Sequence, residues 1–96
     1  MAIRIDPEKS EPAALNRIGA NFEERRVLEV GCGDGRLTKT FAESARSVVA
    51  IDPEPSSAAD FYRTTWPPHV EFRPVGIDGF EPTGSRFDVV LFSWSL

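Results

Sequence analysis

Gly31, Gly33 and Gly35 alternate with Cys32 and Asp34 between an apolar run, Val27-Leu28-Glu29-Val30, and a helix-compatible run that opens at Arg36. Glycine reaches backbone conformations closed to other residues and lets a ligand approach with no Cβ in the way, while the free N–H groups opening a following helix point at what is bound. Such a turn is a cradle for a nucleotide-type ligand. Two carboxylates flank it. Glu29 lies inside the apolar run, where an unpaired carboxylate is costly to bury, so it requires either a ligand's cation or a partner within the protein. Asp52 stands 21 residues beyond Gly31. Its two acceptor oxygens suit the vicinal hydroxyls of a ribose, or the N–H groups of a helix starting after Pro53.

The other reactive residue types support less chemistry. Cys32 is the only cysteine and His69 the only histidine, which excludes an intrachain disulfide and a cysteine-based metal cluster. No base pairs with Cys32 in the sequence, so it reads as a small residue filling the turn, and His69, after two prolines, reads as a surface residue. Asp34 and Arg36 either touch a ligand's charged end or sit in solvent, with Arg36 reading as solvated; Trp66 and Trp94 read as packing residues, Trp94 standing near enough to a strand's carboxyl end to wall a substrate pocket. No metal site and no catalytic base emerge.

The elements that must hold these residues follow from periodicity. Ser10 caps an expected helix over about 11–21, with Pro12 in its first turn and Leu15, Ile18 and Phe22 on one apolar face. A strand over 26–30 leads into the glycine turn, and Leu37, Phe41 and Ala45 predict a helix over about 36–45. The run 47–52 reads as a buried parallel strand ending at Asp52, and a helix over about 56–65 is stopped by Pro67-Pro68. Residues 70–73 alternate as a strand, 76–86 are loop-like, and 87–94 read as a fourth, fully buried strand. The expected division is a leading helical segment, 1–25, and a sheet core, 26–96, within one domain. Strands separated by helical segments give a parallel sheet with right-handed crossovers, whose ligands bind outside the carboxyl ends. The glycine turn, Asp52, the loop 75–78 and Ser93 all fall on that edge.

Composition narrows the partners. A chain of 96 residues is one small domain, and a net charge of −4 with a pI near 4.9 gives no general attraction to nucleic acid or to an anionic membrane. No apolar stretch is long enough to span a bilayer and no leader is visible, so a cytoplasmic protein is expected.

The dinucleotide fingerprint GxGxxG requires glycine or alanine where this chain has Arg36; the third glycine comes one residue early, as GxGxG. With Glu29 before that turn, Asp52 ending the second strand, Val70-Glu71-Phe72 and its loop, and the run 87–96, the chain resembles the class I S-adenosylmethionine-dependent methyltransferases from Val27 to Leu96. The resemblance implies an α/β, Rossmann-like parallel sheet with flanking helices. Its four strands would run in the order 3-2-1-4, truncated relative to the family's seven. The implied cofactor is S-adenosyl-L-methionine, its amino-acid part wrapped by Gly31, Cys32, Gly33 and Gly35, its ammonium near Glu29 and its ribose on Asp52. Pro53 would cover one face of the adenine or simply make a turn. Relatives carry an adenine-contacting acid four residues after the strand phenylalanine. Gly76 stands there, leaving the backbone of Gly76 and Ile77 to read the base, with Asp78 as a shifted substitute or a solvated turn residue. Ser93 would border the site.

Ser93-Trp94-Ser95-Leu96 does not make the (D/N/S)PP(Y/F) motif of amino-methylating relatives, and the resemblance therefore points to a small-molecule acceptor. The family sheet continues beyond this point, implying that these residues are the amino-terminal, cofactor-binding part of a longer methyltransferase or a truncated product. Strand four then becomes an open edge, available for self-association or a partner chain. Two alternatives are a fragment of a dinucleotide-dependent oxidoreductase and a non-catalytic cofactor-binding subunit.

Overall fold

The computed structural model describes residues 2–5, 22–81 and 86–93. Five parallel strands form one sheet: β1 (Ala2–Ile5), β2 (Arg26–Val30), β3 (Ser47–Ile51), β4 (Val70–Arg73) and β5 (Val89–Ser93), side by side in the order β1-β5-β2-β3-β4. The last four reproduce the expected order 3-2-1-4. The fifth corrects two expectations. Ala2–Ile5 is a strand rather than part of a helical leader, and it pairs with β5 from Ala2 opposite Val90 to Ile5 opposite Ser93. The edge of β5 expected to be open is therefore covered. The helix expected over 11–21, with Ser10, Leu15 and Ile18, lies outside the described residues, as do Trp94, Ser95 and Leu96.

Alternation along the strands decides what faces inward. Val27 and Glu29 share a face with their register partners Val48, Ala50, Val89 and Leu91. Against this face pack Phe22, Leu37, Phe41 and Ala45 at the amino end, and Cys32, Phe61 and Phe72 toward the carboxyl end. Phe22 and Phe41 meet edge to face at 5.2 Å. On the opposite face Leu28 and Ile51 are buried, while Val30, Val49, Val90 and Phe92 are half-buried, so β5 alternates instead of being buried throughout.

The covering elements are shorter than their periodicity predicts. The run 36–45 is a chain of turns around a single 3-10 turn, Thr38–Thr40, and not a regular α-helix. Its hydroxyls explain this, because Thr40 Oγ1 donates to Leu37 O at 2.7 Å and Ser44 Oγ to Phe41 O at 3.3 Å, competing with the helical ladder. Its apolar residues still reach the core. The helix expected over 56–65 is one short helix, α1 (Ser57–Phe61), ended by the Trp66 indole, whose Nε1–H donates to Phe61 O at 2.8 Å.

At the amino end of the sheet Arg26 and Asp88 join the starts of β2 and β5. The guanidinium donates to both carboxylate oxygens, at 3.1 and 3.2 Å, and Arg26 N donates to Oδ2 at 2.9 Å. These bonds hold the Asp88 carboxyl down to about 2. His69 is half-buried there rather than on the surface, its Nε2 donating to Ala42 O at 2.5 Å.

Candidate cofactor site

All three glycines of the turn adopt left-handed φ: 81° at Gly31, 55° at Gly33 and 85° at Gly35. Each does so for a different reason. A Cβ on Gly31 would lie 2.4 Å from the carbonyl oxygen of Ser93, so this glycine lets β5 close against the turn. A Cβ on Gly35 would lie 2.5 Å from the Trp66 ring and 3.1 Å from Phe61, so the third glycine admits the aromatic pair, which stacks at 4.5 Å. A Cβ on Gly33 would meet nothing within 4 Å. Only at Gly33 does the missing side chain leave open space rather than room for another part of the fold.

Beside that space lies Asp52, half-buried one residue past β3. Gly33 N donates to its Oδ2 and Glu54 N to its Oδ1, both at 2.9 Å. The carboxylate thus fastens the middle of the turn to β3 and also caps the chain after Pro53, while each oxygen retains a further acceptor position. The turn is held from below as well, by Gly31 N and Cys32 N donating to Ile51 O at 2.8 and 3.2 Å. Pro53 and Gly76, 23 residues apart in sequence, come together: a Cβ on Gly76 would touch Pro53 at 3.6 Å. Ile77 follows on an exposed 3-10 turn, Ile77–Gly79, which also carries the exposed Asp78.

Glu29 sits beneath the turn, fully buried. Its Oε1 accepts from the Thr38 hydroxyl, and its Oε2 accepts from Ser93 Oγ at 2.6 Å. Burial pushes this carboxyl up to about 7, the two hydroxyls opposing the rise and the Asp52 charge adding to it. Of the two partners foreseen for Glu29, the structure supplies the one within the protein. Thr38 is absent from the sequence-based set, and the available signal was alternation: Glu29 must point the same way as Val27, into the segment that follows the turn. Cys32 is buried with Ala50, Phe61 and Phe72. Burial and the neighbouring Glu29 and Asp52 carboxylates push its thiol well above the ordinary range, which leaves it inert as a nucleophile. Asp34 Oδ1 accepts from Arg36 N at 3.0 Å, closing an exposed turn.

The structure therefore gathers Gly31, Gly33, Gly35, Asp52, Pro53, Gly76 and Ser93 on the carboxyl edge of a parallel sheet, with Glu29 and Cys32 as its floor. Fold and turn together define a class I S-adenosylmethionine-dependent methyltransferase domain. A family model described as a methyltransferase domain matches residues 27–96, and the chain belongs to that family. Among curated relatives, the ubiquinone biosynthesis O-methyltransferase of Rhizobium johnstonii is 32% identical over 88 residues, covering 90% of this chain and 32% of its own length. The tRNA U34 carboxymethyltransferase of Methylococcus capsulatus is 38% identical over 72 residues, covering 69% and 22%. The chain thus spans about a third or less of these relatives. Among solved structures, an S-adenosylmethionine-dependent methyltransferase described from Listeria monocytogenes superposes with a TM-score of 0.67 at 25% identity, over 85% of this chain and 41% of its own. The plantazolicin methyltransferase BpumL, determined with S-adenosylhomocysteine, shares the fold with a TM-score of 0.68 at 16% identity over 82% and 33%.

Proposed function

We propose that this chain binds S-adenosylmethionine along the carboxyl edge of its sheet and forms the cofactor-holding part of an enzyme that methylates a small-molecule acceptor. The observation that carries the proposal is Gly33, left-handed and open on its outer side, hydrogen-bonded to the carboxylate of Asp52. The glycine backbone would lie against the amino-acid part, Asp52 would accept from the ribose hydroxyls with its remaining lone pairs, and Pro53 with Gly76 and Ile77 would flank the adenine. When bound, the cofactor supplies a methyl group already activated by a sulfonium centre. The chain's own task is to fix the cofactor and exclude water on one side, a proximity effect.

None of the described residues at the edge serves as a general base. His69 is committed to Ala42 O at the amino end of the sheet, and the Cys32 thiol is buried and protonated. A base, where the acceptor needs one, would come from elsewhere in the enzyme. The net charge of −4 supports a small acceptor over a nucleic acid. Titration calorimetry of the chain with S-adenosylhomocysteine and with NADH tests the ligand. Binding of the first and not of the second is expected, and a preference for NADH would return the site to the dinucleotide class. Transfer of labelled methyl to a pool of small-molecule acceptors, and not to bulk tRNA, is the expected acceptor result for the enzyme this domain belongs to; labelling of tRNA would overturn it.

A further inference from the structure

Glu29 is more constrained than a cofactor contact needs to be. Its carboxyl is fully buried, and among the described residues it is met by two hydroxyls and by no cation. The charged or titratable groups acting on it are Asp52 at the end of β3 and Cys32 in the turn. The segment after the turn and β5 present only Thr38 and Ser93. Ser93 is forked, its Oγ lying 2.6 Å from Glu29 Oε2 and 3.2 Å from the carbonyl oxygen of Gly31. One hydroxyl proton thus serves two acceptors as long as Glu29 is ionised. A protonated Glu29 removes that conflict, donating to Ser93 Oγ, which then donates to Gly31 O.

We propose that Glu29, Ser93 and Thr38 form a proton-storing clamp under the glycine turn, protonated in the free chain below neutral pH and ionised when the ammonium group of the methionyl end of S-adenosylmethionine lies against the turn. The inference rests on the cofactor reading above and adds a regulation to it. Glu29 acts through the turn and is a positioning residue. On binding, its proton leaves to bulk water and the carboxylate becomes the counter-charge of the ligand; Ser93 turns from Gly31 O to Glu29, so that the first glycine of the turn registers the change. No other bond forms or breaks. An opposite charge within about 4–6 Å lowers a carboxyl's titration by about 1 pH unit or more, enough to ionise Glu29 at neutral pH. Affinity for the cofactor then rises with pH between the bound and the free midpoints, by about tenfold for each pH unit that separates them, and is flat on either side.

The test uses the chain carrying 13C at its glutamate carboxyl carbons, titrated from acid to mildly alkaline pH alone and with saturating S-adenosylhomocysteine. Calorimetry with S-adenosylmethionine near pH 6.5 in phosphate and in imidazole counts the protons released. The expected result is a Glu29 midpoint near neutrality that moves down by about 1 pH unit or more with ligand, and a proton release that disappears in E29Q. In S93A, which keeps the carboxyl and loses a donor, the midpoint rises further. A free-chain midpoint in the ordinary carboxylate range, or ligand heat with no buffer dependence and no movement of Glu29, overturns the clamp and leaves cofactor binding standing. Absence of heat with both S-adenosyl compounds overturns the cofactor reading itself, and the clamp with it.

Discussion

The three glycines of the turn are alike in sequence and different in what they do, and substitution separates them. Alanine at any of them adopts a left-handed φ at a cost of about 1–2 kcal/mol. In G33A that strain is the only structural cost, because a Cβ there meets nothing within 4 Å. The melting temperature should fall only by what that strain costs, about 4–8 °C for each kcal/mol, while affinity for S-adenosylhomocysteine falls at least tenfold. In G31A the new methyl would also stand 2.4 Å from the backbone of Ser93, so β5 must shift and stability should fall by clearly more than in G33A. Equal melting temperatures for the two variants would contradict this division. Glu29 gives a second residue-scale prediction. Its carboxyl is raised from 4.5 to about 7 in the folded chain, so the folded state holds the proton more tightly than the unfolded one. The group therefore stabilises the fold fully below about pH 4.5, and this contribution is lost as pH rises through about 7. A chain carrying E29Q should lose that falling limb in melts run between these values. At this scale the turn and Asp52 were legible because residue type alone carries their chemistry. Thr38 and Ser93 as partners of Glu29 were not, since the pairs lie 9 and 64 residues apart and meet only once the sheet is formed.

Four of the five described strands were read nearly to their ends, because β-branched apolar runs favour the extended conformation of a buried parallel strand. The covering segments were read in place but not in form. Leu37, Phe41 and Ala45 occupy the core their spacing predicts, yet the segment is not a regular helix, and the hydroxyls of Thr40 and Ser44 bond its own backbone carbonyls in competition with the ladder. Helical periodicity records which side is buried and is blind to such local competition. The same holds for α1, where Trp66 closes the helix and also presses its ring toward Gly35. The aromatic brace links an element boundary to the ligand turn. W66A, removing a half-buried indole stacked on Phe61, should cost roughly 2–3 kcal/mol, at or below the lower end of the range for emptying an aromatic site. It should also loosen the cofactor by freeing Gly35. W66F keeps the stacking and loses the hydrogen bond to Phe61 O, so its cost should be near 1 kcal/mol with affinity largely retained. Melting and calorimetry on the two variants decide whether the brace acts through packing; equal losses in both would refute it.

The sheet as a whole differs most from its reading at one edge, and the reason is topological. Sequence patterning identified β5 as the end of a four-strand order and left its far side bare, because nothing in a four-residue run such as Ala2–Ile5 announces a long-range parallel partner. In the fold β1 takes that place along nearly all of β5, from Val90 to Ser93. Parallel pairing brings Ile5 opposite Ser93, at the end of the sheet where the turn, Asp52 and Gly76 gather. The strand therefore braces the residue that completes the Glu29 clamp while occupying hydrogen-bonding groups that an unpaired β5 would offer to another chain. Any further strand docking beside β5 must displace β1, so the edge is a point of competition. Removing residues 1–5 should uncover the apolar run Val89-Val90-Leu91-Phe92 and shift the chain toward dimers or larger species in size-exclusion chromatography. The melting temperature should fall by about 4–8 °C for each kcal/mol lost, and the Glu29 midpoint should change as Ser93 loosens. An unchanged elution volume and melt would mean that β1 contributes nothing to holding the edge, and that β5 is protected by some other part of the chain.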